Sequence, residues 1–337
     1  RVPKDYGKIS ARFPLETGDL THPVYGPTGD AELKRVLSLP DTYRVTTNSA
    51  ESGRKIHSDV KKFFQLIEPG FCGNCHDVTL PNGFRLEEAF SSYKNSSSAH
   101  TGVTCQDCHM GLVPGKVSGY AVGPAAIVGG VPTKPRKLTN HMFPGPDYSI
   151  ICRGFFPHND QAAAMATMRD WLTFNDKAGW GTDAFENHVP KDYKFPPRWA
   201  SIDDRYDARA ILDDQAKLLA EVYKARLAIL RVGYQLGDLV VQKATHKELK
   251  FKIEVKNGTP GHNVPTGFDA ERITYMQVFV WNADGKLVFK SGDLDPNGDV
   301  RDLHSTYVHN GQLPLDKYLF TLQSRFITRN AFGGEQE

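Results

Sequence analysis

The stretch GFCGNCHDVTLPNGFRLEEAFSSYKNSSSAHTGVTCQDCHMG, residues 70–111, contains two copies of the five-residue pattern Cys-x-x-Cys-His. The residues that define the two copies are Cys72, Cys75 and His76, followed by Cys105, Cys108 and His109. Four of the chain's five cysteines therefore lie in one short stretch. A pattern that repeats three residue types at one spacing indicates a chemistry that needs all three side chains.

Three kinds of site use paired cysteines. Thioredoxin-like redox chemistry needs one Cys-x-x-Cys in a strand–helix–strand unit and has no use for a second copy or a fixed following histidine. A zinc site would take four thiolates, but the spacer between the pairs exceeds the common ~15–20 residues, and neither histidine would be required. Covalent haem attachment alone uses all three residue types, because two cysteines add to the haem vinyl groups and the adjacent histidine becomes the proximal iron ligand.

The doubled pattern therefore predicts two c-type haems. Cys72 and Cys75 would tether the first and Cys105 and Cys108 the second, while the motif histidines, His76 and His109, would be the proximal ligands. In bacteria this attachment is made outside the cytoplasm. The motif thus predicts a periplasmic or extracellular location.

Length and composition exclude several other classes of protein. A chain of 337 residues is longer than one compact core usually supports, which favours several packed units. Lys plus Arg is 41 and Asp plus Glu is 39, so the net charge of +2 predicts no strong attraction to nucleic acid. No apolar run approaches the ~20 residues of a membrane-spanning helix, so no transmembrane segment is predicted in this chain.

Two segments resemble a known family. FCGNCHDV, the acidic LEEAFSSYKNS and GVTCQDCHMG are similar to the paired haem-binding segments of multihaem c-type cytochromes of the cytochrome c554 and NapC-like kind. GTPGHNVPTGFDAER, residues 258–272, resembles a Gly-His-x-x-Pro-Thr-Gly element in the β-rich C-terminal parts of some multihaem cytochromes. The resemblance implies electron transfer through bis-histidine haems. This chain departs from that family in having only two attachment motifs. One subunit therefore cannot contain a long series of haems.

The ligand on the far side of each iron separates a carrier from a catalyst, because a second strong ligand closes the iron to substrate. Twelve histidines less the two in the motifs leave ten, a surplus that favours closed bis-histidine haems. The distal candidates, in order, are His141 beyond the glycine-rich loop after the second motif, His57 before the first motif, His158 between aromatic residues, and His262 in the GHNVPTG turn.

The pattern of the whole chain predicts an α+β multidomain protein. Residues 1–50 are predicted to form an extended N-terminal arm, 51–160 a loop-rich dihaem c-type cytochrome domain with helices, 161–246 a helical segment, and 247–337 a β-sandwich-like antiparallel domain. The helical segment is expected to contain one long amphipathic helix from about Asp203 to Gln235.

Two further features of the sequence carry chemistry. SGDLDPNGDVRD has the D-x-D-x-N-G spacing of calcium loops, although His304 stands where a bidentate Glu is expected. The candidate calcium ligands are Asp293, Asp295, Asn297 and Asp299, and the alternative is an acidic hairpin loop. Cys152, the remaining cysteine, is either a buried thiol or a point for an intermolecular bond.

The sequence therefore predicts a dihaem c-type cytochrome that relays electrons outside the cytoplasm to redox partner proteins or extracellular electron acceptors. Two alternatives stay open. One is a small multihaem reductase with one open haem, of the nitrite or hydroxylamine type. The other is a homopolymer, in which this chain is the subunit of an extracellular cytochrome filament and successive haem pairs form a continuous chain.

Overall fold

The computed structural model describes residues 17–27, 29–81, 83–147, 154, 156, 158–268 and 272–323, with the backbone of 328–329 and 335–336. Helices and strands are both present, so the fold is of the mixed α+β class, as predicted. Cys152 and the first part of the predicted arm, residues 1–16, lie outside the described residues.

The helices are short, with one exception. Those among the described residues are α1 (Ala31–Leu37), α2 (Pro40–Tyr43), α3 (Pro69–Gly73), α4 (Ala89–Lys94), α5 (Ser97–His100), α6 (Cys105–His109), α7 (Asp160–Met165), α8 (Met168–Trp171), α9 (Asp183–Glu186), α10 (Ile202–Gly233) and α11 (Thr306–His309). Three 3₁₀ turns cover Phe64–Ile67, Asp176–Ala178 and Pro197–Trp199. None of the described helices has both the length and the apolar character needed to cross a membrane.

The strands pair in twos. They are β1 (Val24–Gly26), β2 (Val45–Thr46), β3 (Arg54–Lys55), β4 (Val60–Lys62), β5 (Val78–Thr79), β6 (Arg85–Glu87), β7 (Ala121–Pro124), β8 (Ile127–Val128), β9 (Val131–Pro132), β10 (Pro135–Leu138), β11 (Tyr234–Ala244), β12 (Leu249–Asn257), β13 (Thr274–Tyr275), β14 (Val278–Trp281), β15 (Leu287–Ser291), β16 (Thr321–Leu322), β17 (Thr328–Arg329) and β18 (Glu335–Gln336). β1 with β4 and β2 with β3 are parallel pairs, whereas β5–β6, β8–β9, β13–β16, β14–β15 and β17–β18 are antiparallel.

The C-terminal strands form where the alternating sequence predicts them, but they do not build a larger sheet among the described residues. β14 and β15 pair around the Ala-Asp-Gly turn, with Val278 opposite Ser291. β16 pairs with β13, and β17 pairs with β18. Most of these strands are two to five residues long, and their pairs do not join among the described residues, so the predicted β-sandwich is not confirmed.

The chain divides into two compact units. The first contains the described parts of Arg1–Gln106, Pro124–Pro135 and Asn257–Glu337, and the second contains those of Asp107–Gly123 and Arg136–Lys256. The first Cys-x-x-Cys-His motif thus shares a unit with the C-terminal β-rich region, whereas the long helix belongs to the other unit.

The second unit has an aromatic core at the beginning of α10. Ser201 caps this helix by accepting a hydrogen bond from the backbone N–H of Asp204, which agrees with the predicted beginning near Asp203. Trp199 and Trp171 pack with their ring centroids 5.2 Å apart, and both are buried. The buried side chains of α10 all lie in its first half, so only that half is held by the core.

A buried ion pair beside this core gives a stability prediction. Arg205 donates to Glu186 at 2.5 Å, and the two side chains are 5% and 1% exposed. Glu186→Gln would leave the guanidinium buried without its counter-charge, so we expect the free energy of unfolding, measured by urea titration, to fall by about 3–5 kcal/mol. The pKa of Glu186 lies below its usual value because of the hydrogen bond from Arg205, so this stabilisation is present above the unfolded pKa and is lost as the pH falls through the folded pKa.

Asp214→Asn on the same helix is the matched control. Asp214 pairs with Lys217 at 2.8 Å, but these side chains are 70% and 77% exposed. We expect this variant to stay within about 0.5 kcal/mol of the parent. Equal losses in the two variants would contradict the prediction.

Candidate haem-binding site

The first motif lies on a helical turn that starts at a proline. α3 begins with Pro69 at its first position, where a missing N–H costs no intrahelical hydrogen bond. The turn continues past the end of α3, because the N–H groups of Cys75 and His76 both donate to the carbonyl of Cys72, at 3.1 and 2.9 Å. Residues three and four apart lie on one face of a helix. The three motif side chains are therefore presented on one side of the turn.

The interior of the first motif is held by close packing. A Cβ on Gly73 would lie 2.4 Å from the ring of Phe90, so only glycine fits this position without movement of the ring. Asn74 is 2% exposed, and its side-chain amide donates to the carbonyl of Phe71 at 3.2 Å. The residues between the two cysteines thus anchor the turn on its inner side.

The second motif coincides with α6. The carbonyl of Cys108 accepts a hydrogen bond from Gly115 at 2.8 Å, and burial raises the pKa of the Cys108 thiol. Tyr120 donates to Asp107 Oδ1 at 2.6 Å, while Lys137 Nζ lies 3.3 Å from the centre of the tyrosine ring. Burial, followed by the hydrogen bond to Asp107, raises the pKa of Tyr120. Tyr120 directly precedes β7 and Lys137 lies in β10, so this strand pair supports the second motif.

The beginning of the second motif lies against the first. The Cys105 thiol forms a hydrogen bond with Cys72, which lowers the pKa of Cys72 to about 7. Gln106, 7% exposed, donates through Nε2 to the carbonyls of Glu68 at 3.0 Å and Leu66 at 3.4 Å, both just before the first motif. These contacts bring a cysteine from each motif together in space.

The predicted proximal ligand His76 has a carboxylate partner. His76 Nδ1 lies 2.9 Å from Glu87 Oε1, and the two side chains are 63% and 9% exposed. The hydrogen bond to Glu87 raises the pKa of His76. Since an ionised carboxylate only accepts, Nδ1 carries the hydrogen, and in the neutral ring the lone pair is on Nε2. This is the arrangement in which a histidine binds a metal through Nε2 while a carboxylate orients the ring.

The donor groups of the two motifs match those that covalent haem attachment requires. All four motif cysteines are described, and none of them forms a disulfide. No group of three or more His, Cys, Asp or Glu side chains that could hold a metal ion occurs in the part of the chain that the structure describes. Each motif retains the helical spacing of two thiols and an imidazole.

Three of the four distal candidates have the tautomer of a ligand that binds through Nε2. The Nδ1 atoms of His57, His141 and His262 lie 3.2, 2.8 and 2.7 Å from backbone carbonyl oxygens. A carbonyl oxygen accepts only, so these Nδ1 atoms carry the hydrogen. His158 differs, because its Nε2 faces Asp160 Oδ1 at 2.9 Å with both side chains exposed. The four histidines stay predicted distal ligands, and His158 differs from the other three in the nitrogen that makes the hydrogen bond.

The segment that carries His141 is joined to the second motif by a backbone hydrogen bond. The N–H of Asn140 donates to the carbonyl of Met110 at 2.9 Å, and Met110 directly follows His109. The glycine-rich loop therefore returns to the second motif, as the sequence predicts.

The GHNVPTG turn packs on the segment between the motifs. The N–H of Asn263 donates to Ser92 Oγ on α4 at 2.7 Å, and the N–H of Ser98 on α5 donates to the carbonyl of Pro260 at 3.2 Å. A cavity of about 400 Å³ opens beside these contacts, lined by Glu88, Ser92, Asn263, Val264, Pro265, Thr266, Gly267, Thr321, Leu322 and Gln323. His262 is thereby placed in the same unit as the first motif.

The acidic loop predicted to bind calcium is organised by protein donors. Asp293 accepts from Lys290 at 2.7 Å and from Arg301 Nε at 2.9 Å. Asp295 accepts from the backbone N–H groups of Asn297 and Asp299, at 2.8 and 3.0 Å, and its other oxygen accepts from Ser305. The loop carboxylates are not collected into a ligand shell, and calcium binding stays a prediction.

Sequence reasoning did not identify Glu87 or Gln106. Both act through partners that are distant in sequence, and neither belongs to the motif pattern. The one local signal for Glu87 is its place in LEEAF, after a Gly-containing turn that returns the chain toward His76.

Comparison of the chain with protein-family models, with curated proteins and with solved structures gives no match.

Proposed function

We propose that the chain is an extracytoplasmic dihaem c-type cytochrome that relays electrons between redox partner proteins or to extracellular acceptors. The observation that carries the proposal is the doubled Cys-x-x-Cys-His pattern on two helical turns, with His76 oriented by Glu87. When bound, a c-type haem supplies a reversible one-electron couple. The periplasmic or extracellular location follows from where such attachment is made.

The chain's own residues supply tethers and ligands. Cys72 and Cys75 would hold the first haem and Cys105 and Cys108 the second, with His76 and His109 as proximal ligands. The contact between Cys72 and Cys105 makes the two tethering segments neighbours, which supports electron transfer between the two groups that they hold. The β-rich C-terminal region is proposed to complete a sandwich-like docking domain beside the haem unit.

The tautomers of His57, His141 and His262 support a second imidazole on each iron. With a bis-histidine pair, a substrate would have to displace a ligand, whereas an electron needs only a path to the haem edge. The proposed carrier therefore differs from the alternative, a nitrite or hydroxylamine reductase with one open haem, in how it is reoxidised.

Reoxidation tests the carrier against the reductase. We expect the reduced protein to be oxidised rapidly by a soluble iron(III) chelate and to show no sustained turnover of nitrite or hydroxylamine, followed by stopped-flow absorbance and product analysis. Sustained turnover of either nitrogen compound would assign the reductase function. Slow oxidation by the chelate would contradict the carrier.

One observation supports the homopolymer as a further form of this carrier. β11 and β12 form a sheet of only two strands, and Leu236, Leu239 and Val240 of β11 are 63%, 58% and 55% exposed. Two-stranded sheets are marginal in water on their own, and bare strand edges accept further strands. A neighbouring copy of the chain would cover this surface in a filament.

A further inference from the structure

We propose that Glu87 is a positioning residue that lowers the reduction potential of the first haem by holding the Nδ1 hydrogen of His76. This inference rests on the proposed function, because it concerns the imidazole that serves there as the proximal ligand. Glu87 lies outside the attachment motif, so the motif alone does not identify the residue that tunes the potential.

The contact is built by the chain immediately after the motif. Val78, two residues after His76, pairs with Glu87 across the antiparallel strands β5 and β6. The N–H of Phe90 then donates to the carbonyl of His76 at 2.8 Å. The backbone of the segment that carries Glu87 is thus held to the backbone around His76 on both sides of the carboxylate. This backbone pairing supports the 2.9 Å contact between Oε1 and Nδ1.

The GHNVPTG turn encloses the same carboxylate. A Cβ on Gly267 would lie 3.4 Å from Glu87 Oε1 and 3.2 Å from Arg272 Nη1. The backbone φ of Gly267 is +75°, a conformation that residues with a side chain rarely adopt. Arg272 also donates to the carbonyl of Thr266. Glycine at this position therefore lets the turn close over Glu87, which is 9% exposed.

A buried acceptor of this kind changes the ligand that it holds. A carboxylate that accepts from a metal-bound imidazole makes the imidazole a stronger donor to the metal. A stronger donor stabilises the oxidised iron more than the reduced iron, so the reduction potential falls. Glu87 is thus expected to bias the first haem toward the oxidised state.

The test is a spectroelectrochemical titration of the full-length holoprotein and of two variants. Glu87→Gln keeps a hydrogen-bond acceptor but removes the charge, and Glu88→Gln removes the same charge from the adjacent, exposed residue. We expect Glu87→Gln to raise the potential of one of the two haems, with about a tenfold larger ratio of reduced to oxidised haem at fixed potential, which is 59 mV for one electron. Glu88→Gln should leave both potentials unchanged.

Glu87→Asp keeps the carboxylate and should retain a potential closer to that of the parent than Glu87→Gln does. The inference is overturned if Glu87→Gln binds haem but leaves both reduction potentials unchanged, or shifts them no more than Glu88→Gln does. The proposed function stands in that case. A parent protein without covalently bound haem overturns the proposed function and this inference with it. If Glu87→Gln fails to fold, Glu87→Asp is compared with the parent instead. The shorter side chain weakens the contact with His76, so the inference requires a higher reduction potential of the first haem in this variant.

Discussion

The protein denatured after maturation with haem is expected to carry two covalently bound haems, and the variant Cys72→Ser/Cys75→Ser is expected to carry one. Each motif supplies two thiols on a helical turn, and thioether bonds survive denaturation. Removing both thiols of one motif abolishes one attachment and leaves the other. The mass of the denatured chain and haem staining after denaturing electrophoresis measure the number.

The remaining cysteine provides the control for this experiment. Cys152→Ser changes a cysteine that is in neither motif, and we expect the variant to retain two haems. Complete loss of haem from the parent on acid extraction would contradict covalent attachment. Retention of two haems by the double variant would contradict the assignment of the first motif.

His141→Ala is expected to convert one of the two haems from low spin to high spin and to create carbon monoxide binding that the parent lacks. The turn that carries His141 is joined to the second motif through Asn140 and Met110, and its Nδ1 donates to the carbonyl of Thr139. The lone pair of this imidazole is therefore on Nε2, as a haem ligand requires. Electron paramagnetic resonance and carbon monoxide difference spectra measure the change.

His158→Ala is the matched control. Its Nε2 faces Asp160, so we expect the spectrum of this variant to remain low spin. An unchanged spectrum for His141→Ala would remove that residue from the distal candidates. A high-spin signal in His158→Ala would show that the ring turns away from Asp160 to bind iron.

The parts of the fold that depend on short-range pattern are predictable from the sequence. The long helix was expected from about Asp203 to Gln235 and runs from Ile202 to Gly233, because its apolar spacing and the Ser201 cap are both local. The strand β12 and the pair β14–β15 likewise follow from alternation and a tight turn. The sequence did not predict β11, which follows the long helix directly, at Tyr234.

The parts that depend on which side chains meet in the folded chain were not predictable in the same way. The oxygen pattern around Asp293 is that of a calcium loop, but the structure places Lys290 and Arg301 against this carboxylate. Ion pairing of this kind depends on where a loop folds and not on its spacing. The joining of strand pairs into a larger sheet likewise depends on neighbouring strands that an alternating pattern does not identify.

The candidate site also has a part that the sequence predicts and a part that it does not. The arrangement of the two cysteines and the histidine of each motif is readable from the sequence, since one helical turn contains all of it. Glu87 reaches His76 through a hairpin, and Gln106 reaches Glu68 from the other motif. Spacing alone does not reveal which side chain a returning strand will present.

The contact between Cys72 and Cys105 constrains the order of events in the biogenesis of the protein. A chain that folded in an oxidising compartment before attachment would hold one thiol of each motif in contact, and thiols in that position are prone to form a disulfide. One such cross-link would remove a tether from both motifs at once. The proposed haem attachment would therefore have to precede compact folding, or a reductant would have to protect this pair until attachment was complete.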